Sequence, residues 1–170
     1  MVITILGGIR SGKSSFALKV SDKFNGEKIF LATAEPLDPE MRERIERHKM
    51  SRSNEWRTIE EPIKIYDVLK KLSQLNGVVL IDCLTLWLSN MMREHSDDRT
   101  IIEEIEILCR GISEINCSII LVSNEVGLAI IPENRMARRF CDLSGIMNQK
   151  VVEVSDEAYM IFSGSSIRIK

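Results

Sequence analysis

The stretch "VITIL", Val2 to Leu6, runs directly into "GGIRSGKSS", and this junction constrains the chain more than any other. Gly7, Gly12, Lys13 and Ser14 stand at the fixed positions of the pattern GxxxxGK[ST], after a strand-like segment and before a helical one, the context that pattern requires. In such a loop the backbone N–H groups and the helix N-terminus face phosphate oxygens. Lys13 pairs with the outer phosphates and the Ser14 hydroxyl ligates Mg²⁺. Glycine keeps the approach open where a side chain would block it. Strand, cradle and helix must therefore follow one another, which places the chain among α/β nucleotide-binding folds.

The remaining sequence repeats that alternation. Nearly continuous apolar runs at Val2 to Leu6, Lys28 to Ala32, Val78 to Ile81 and Ser118 to Val122 read as strands buried on both faces, hence a mostly parallel sheet flanked by helices. Helices are expected over Lys13 to Phe24, Pro39 to Lys49, Ile63 to Leu75, Leu84 to Arg93, Thr100 to Ile115 and Asn134 to Val152. Pro39 and Pro62 suit the first turn of the helix that follows each. The closing "AYMIFSGSSIRIK" reads as an antiparallel hairpin around Gly164 at the sheet edge. The expected fold is P-loop NTPase-like, as one domain over residues 1–170.

Composition narrows the function classes. A net charge of −2 and 5% aromatic residues give no footprint for nucleic acid or a membrane surface. Cys83, Cys109, Cys117 and Cys141 show no CxxC pair and read as reduced core thiols. Gly7 and Gly8 interrupt the opening apolar run, and Asp82 interrupts "GVVLIDCLTLWLSNMM", so neither a signal peptide nor a membrane span is expected and the location read is cytoplasmic.

A triphosphate cradle needs a carboxylate on the metal side at a neighbouring strand end, and "VVLIDC" supplies Asp82. The base-reading NKxD of GTPase switches is absent, since the strand ending at Ser123 leads into "NEVG", and "DLSGIMNQ" reads as helix. The segment "PEMRERIERHKMSRSNEWRTIEE" gathers Arg42, Arg44, Arg47, Lys49, Arg52 and Arg57 around His48. Two readings stand at this point. Glu40–Arg44 and Glu43–Arg47 pairs would make an ordinary solvated helix face. Alternatively, imidazole attacks a nucleotide phosphorus while the neighbouring cations stabilise the developing charge. Beyond the strand end, Asn124, Glu125, Glu133, Asn134 and Arg135 are further site candidates, with helix capping by Asn134 as the alternative.

Taken in order, "GGIRSGKS", "FLATAEP", "RIERHKMSR", "EWRTIEEP", "VVLIDCLTLWLSN", "LVSNEVGLAIIPENRMARRFCDLSGIMNQKVV" and "FSGSSIRIK" closely resemble the bifunctional adenosylcobinamide kinase/adenosylcobinamide-phosphate guanylyltransferase family of cobalamin assembly. The resemblance covers essentially the whole chain, and "NEVG" followed by "IPENRMAR" is its most specific piece. It implies phosphorylation of adenosylcobinamide by a nucleoside triphosphate, ATP or GTP, then transfer of GMP from GTP to adenosylcobinamide phosphate through a guanylylated histidine. It implies His48 as nucleophile and Lys13 as catalytic cation. It implies nucleotide contacts from Gly7, Gly8, Ile9, Arg10, Ser11, Gly12, Lys13 and Ser14, from Ala32, Thr33 and Ala34, from Lys49, Met50, Ser51 and Arg52, and from Glu60 and Asp82. Mg²⁺ would be held by Ser14 and Asp82, and the assembly would be a homotrimer. The chain departs from some relatives in carrying Arg47-His48 in place of His-His, and Asp82 in place of Glu. The competing reading from the residues is a P-loop kinase of another small metabolite with no covalent nucleotide intermediate.

Overall fold

The computed structural model describes residues 1–50 and 52–170. In chain order the elements are β1 (Val2–Gly7), α1 (Lys13–Ser21), β2 (Glu27–Ala32), α2 (Pro39–Met50), β3 (Trp56–Glu60), α3 (Ile65–Lys71), β4 (Gly77–Asp82), α4 (Leu84–Glu94), α5 (Asp98–Ile112), β5 (Ser118–Asn124), α6 (Arg135–Val154), β6 (Glu157–Phe162) and β7 (Ser165–Arg168). The strands form one seven-stranded sheet in the order β3-β2-β4-β5-β1-β6-β7. Every neighbouring pair is parallel except β6–β7, which closes the expected antiparallel hairpin. Its two-residue turn uses Ser163 at φ 47° and Gly164 at φ 84°, the left-handed backbone that tight hairpins demand.

The apolar strands are buried on both faces because alternate side chains enter two separate cores. Ile29, Leu31, Val79, Ile81, Ile119 and Leu121 pack against α3, α4, α5 and α6. Ile3, Ile5, Phe30, Val78, Leu80, Ile120 and Val122 pack with Ala17 and Val20 of α1. α2 buries none of its residues. The second face therefore leaves room beneath α2, above the C-terminal ends of the strands, where ligands of open α/β sheets bind.

Several boundaries differ from the sequence expectation. β3 was not anticipated: its five residues are half-buried at best and include Arg57 and Glu60, so no apolar run marks them, and backbone pairing to β2 makes the strand, with Ile59 and Trp56 packing on either face. Pro62 precedes α3 by three residues and lies outside its first turn; there Glu61 Oε1 accepts from the backbone N–H of Ile63 and Lys64. α5 starts at Asp98 instead of Thr100 because Asp97 caps it, its carboxylate accepting from Thr100 N at 2.8 Å. The Pro39 expectation holds, since Pro39 opens α2.

Candidate active site

Local sequence dictates the cradle. β1 ends at Gly7, where an added Cβ would meet Ser11 Oγ at 2.6 Å and the Ile161 carbonyl at 2.8 Å, so the chain turns away from β6 only with glycine there. Arg10 and Gly12 take positive φ, 56° and 97°, which bends the loop back onto the start of α1. Three hydrogen bonds hold it: within the loop Ser11 N donates to Gly8 O, and from outside Gly164 N of the hairpin turn donates to Ser11 O at 2.8 Å and Glu125 N donates to Gly7 O at 3.0 Å. Lys13 is only 8% exposed and its Nζ donates to Gly8 O at 3.0 Å. Burial lowers its pKa, against the opposing pull of Cys83 and Asp82.

Lys13 and Ser14 open onto a cleft whose walls come from four other segments. Ala32, Ala34 and Phe30 line it from β2 and its exit, Glu60 from the end of β3, Asp82, Cys83 and Leu86 from β4 and α4, and Asn124 from β5. Its roof is α2, which contributes Met41, Arg44, Ile45, His48 and Lys49, followed by Arg52. An adjoining depression is lined by Arg10, Glu40, Arg44, Arg47 and His48, so His48 lies between the flank of the cradle and the cleft.

The cations are arranged rather than loosely solvated. Lys49 Nζ lies 3.0 Å from Glu60 and 3.5 Å from Glu46. The hydrogen bond to Glu60 raises its pKa, so it remains an ammonium. The Arg52 guanidinium sits 3.7 Å from the centre of the Phe30 ring, a cation–π contact at the cleft wall. The anticipated Glu40–Arg44 and Glu43–Arg47 pairs are not formed among the described residues; Arg47 Nε instead donates to the Glu43 carbonyl at 3.4 Å. Arg44 and His48 face the cleft. Burial pushes the Cys83 thiol up to about 11, which keeps it protonated and makes it a poor nucleophile beside the imidazole of His48.

Asp82 Oδ2 is buried without a hydrogen-bond partner, in the same cleft as the Ser14 hydroxyl. An orphaned carboxylate oxygen near a hydroxyl is a donor set that suits a hard divalent cation, and Mg²⁺ keeps most of its shell as water and phosphate oxygen. The residues present fit Mg²⁺.

The other anticipated residues are placed as follows. Gly7, Gly8, Ser11 and Gly12 form the backbone of the cradle. Ile9 and Met50 are 74% and 84% exposed and do not line the cleft. Thr33 is fully buried, its Oγ1 donating to Cys83 O at 2.7 Å and accepting from Cys83 N at 2.9 Å, so its side chain braces the Asp82 turn. Ser51 lies outside the described residues. Asn134 caps α6, accepting from Met136 N at 2.8 Å and Ala137 N at 3.1 Å, and neither it nor Glu133 nor Arg135 lines the cleft. Phe30, Met41, Ile45 and Leu86 were not singled out from the sequence; apolar residues in strands and helices carry no signal separating a cleft wall from a core.

The chain is similar to known proteins along its whole length. The family described as "Cobinamide kinase / cobinamide phosphate guanyltransferase" matches residues 3–169. The bifunctional adenosylcobalamin biosynthesis protein CobU of Escherichia coli is 32% identical, with all of both chains covered, and its namesake from Salmonella typhimurium is 34% identical at the same coverage. The bifunctional adenosylcobalamin biosynthesis protein CobP of Pseudomonas aeruginosa is 36% identical over 98% of this chain and 95% of its own. Two solved structures share the fold at 15% identity. The KaiC-like protein PH0186 of Pyrococcus horikoshii has a TM-score of 0.53 over 94% of this chain and 69% of its own. The P4 protein of bacteriophage phi6 has a TM-score of 0.50 over 98% of this chain and 53% of its own.

Proposed function

The chain belongs to the cobinamide kinase / cobinamide phosphate guanyltransferase family, and we propose that a single nucleotide cleft in one domain performs both of that family's reactions. The observation that carries this reading is convergence: Lys13, Ser14, Asp82 and His48 line one cleft, together with Arg44, Lys49 and Arg52.

In the first reaction the acceptor hydroxyl of adenosylcobinamide attacks the γ-phosphorus of a nucleoside triphosphate. The bond to the β-phosphate oxygen breaks, the nucleoside diphosphate leaves and the hydroxyl proton is released to solvent. Lys13 and the N–H groups of the cradle hold the charge of the phosphates, so the protein contributes positioning and electrostatics. Ser14 and Asp82 are the residues that would hold Mg²⁺, which when bound neutralises phosphate charge. In the second reaction an imidazole nitrogen of His48 attacks the α-phosphorus of GTP and pyrophosphate leaves, with Arg44, Lys49 and Arg52 balancing the charge that builds on the phosphorane oxygens. A phosphate oxygen of adenosylcobinamide phosphate then displaces the imidazole, giving adenosylcobinamide-GDP.

The test is mass spectrometry after incubation with GTP and Mg²⁺, at alkaline pH because a phosphoramidate is acid-labile. A GMP adduct on the peptide containing His48 is expected. His48→Ala should lose the adduct and guanylyl transfer while keeping phosphorylation. GTP-bound protein without an adduct would leave a small-metabolite kinase as the better account. No helix among the described residues is long and apolar enough to cross a membrane. A cytoplasmic homotrimer completes the proposal, checked by light scattering and fractionation.

A further inference from the structure

One conspicuous surface has no part in the nucleotide cleft. Between β5 and α6 the chain exposes Leu128, Ile130 and Ile131 at 73%, 93% and 78%, and Met136 on the first turn of α6 at 58%. Such a cluster gains nothing from facing water, and contiguous exposed apolar residues mark a contact surface.

The segment is braced at both ends. At its start Glu125 N donates to Gly7 O of the cradle, Glu125 Oε1 accepts from Gly127 N at 2.8 Å, and Glu125 Oε2 accepts from Asn148 Nδ2 at 3.3 Å. At its end Arg138 Nη1 donates to Pro132 O at 3.0 Å and Glu133 O at 2.6 Å, beside the Asn134 cap. The apolar residues are thus held out on a fixed frame, which lowers the ordering cost of binding.

The position of the segment identifies the occupant. β5 lies between β1, which carries the cradle, and β4, which carries Asp82, with Gly7 paired to Asn124 and Asp82 to Val122. The segment therefore leaves the sheet beside the place where Lys13, Ser14 and Asp82 converge on the outer phosphates. The reaction there requires an acceptor far larger than the hydroxyl it presents, and a corrin ring is a broad disc with apolar faces. In the nucleotide cleft the apolar residues Phe30, Met41, Ile45 and Leu86 share the walls with Lys13, Arg44, Lys49, Arg52, Glu60 and Asp82, whereas Leu128, Ile130 and Ile131 stand outside it on an exposed segment.

We propose that Leu128, Ile130 and Ile131 form the platform on which the corrin ring of the acceptor rests while its hydroxyl or phosphate reaches the nucleotide cleft. This rests on the cobinamide kinase/guanyltransferase reading above. A second copy of the chain is the competing occupant.

The double variant Ile130→Ser/Ile131→Ser alters only exposed side chains, so its fold should be intact, as checked by its thermal transition. Expected are a rise of about tenfold or more in the KM for cobinamide, the size that lost apolar contact supports, a kcat within about twofold, unchanged GTP affinity and an unchanged mass by light scattering. An unchanged KM would overturn the platform. A smaller assembly, whether or not KM rises, would overturn it in favour of an interface between copies. A variant that no longer folds would likewise overturn it, since these side chains would then support the core. The coloured corrinoid also allows equilibrium dialysis of the unmodified protein. Failure there to retain or turn over cobinamide would defeat the functional reading itself and the platform with it, whereas normal turnover with an unaltered KM in the variant would defeat the platform alone.

Discussion

Removing the Thr33 hydroxyl should cost the protein stability and leave nucleotide affinity almost untouched. Thr33 is fully buried, and its Oγ1 both donates to Cys83 O and accepts from Cys83 N, at 2.7 and 2.9 Å. Those backbone groups belong to the turn that follows Asp82, where β2 and β4 run in register as Ala32 opposite Asp82. Thr33→Val keeps the shape of the side chain and orphans a buried donor and a buried acceptor, each costing about 1–3 kcal/mol. Together the loss is about 2–6 kcal/mol, which in a chain of this length, at about 2–4 °C per kcal/mol, lowers Tm by about 4–24 °C. Thr33→Ser, which keeps the hydroxyl, should recover most of it. The assay is thermal denaturation followed by circular dichroism, paired with GTP titration well below both transitions. If Thr33→Val melts with the wild type, the buried hydrogen bonds are not stabilising the turn. If it melts normally yet binds GTP many-fold more weakly, the hydroxyl serves the nucleotide and the structural role assigned to it is wrong.

Gly7→Ala should destabilise the protein by about 1–3 kcal/mol, because the new methyl group presses on the Ile161 carbonyl at 2.8 Å; Gly8→Ala meets nothing within 4 Å and should melt normally, so any loss of its GTP affinity reports the approach of a phosphate. Asn134→Ala removes the α6 cap and should cost about 1 kcal/mol in thermal stability with GTP affinity unchanged; a fall in affinity without a fall in Tm would make Asn134 a ligand contact. Lys13→Met should abolish phosphorylation and guanylyl transfer, yet raise the Tm of the ligand-free protein near neutral pH. The sign follows from burial, which lowers the Lys13 pKa in the folded state. The unfolded chain then binds more protons, so this group's penalty is present at low pH and is relieved as pH rises through the lowered folded value toward 10.5. Calorimetric scans across that range would show the Lys13-dependent stabilisation with rising pH disappear in the variant.

Much of this protein is legible in its sequence because the relevant physics is local. The cradle is a matter of backbone torsion and close approach within a few residues, so Gly7, Gly12, Lys13 and Ser14 announce it at fixed spacing. Strands buried on both faces need unbroken apolar runs, and β1, β2, β4 and β5 were visible for that reason. The hairpin was visible because Gly164 supplies the left-handed turn. His48 and its cations stand out as a composition, yet a solvated helix face fits them as well as a site does, since helix periodicity is blind to what lies opposite, and only the family resemblance singles out His48.

Tertiary structure decided the rest. β3 exists because the edge of β2 offers free backbone partners, a fact held in β2 and nowhere in the exposed residues Arg57, Thr58 and Glu60. That added strand brings Glu60 to Lys49 and the cleft. Thr33 went to the brace and Asn134 to the cap because each found backbone donors or acceptors that only the folded chain assembles. The sequence by itself determined the cradle and the alternating layers, whose energetics lie within short segments. Which side chains meet across the strand ends was decided by sheet order and edge pairing, contacts between distant residues that no local pattern encodes.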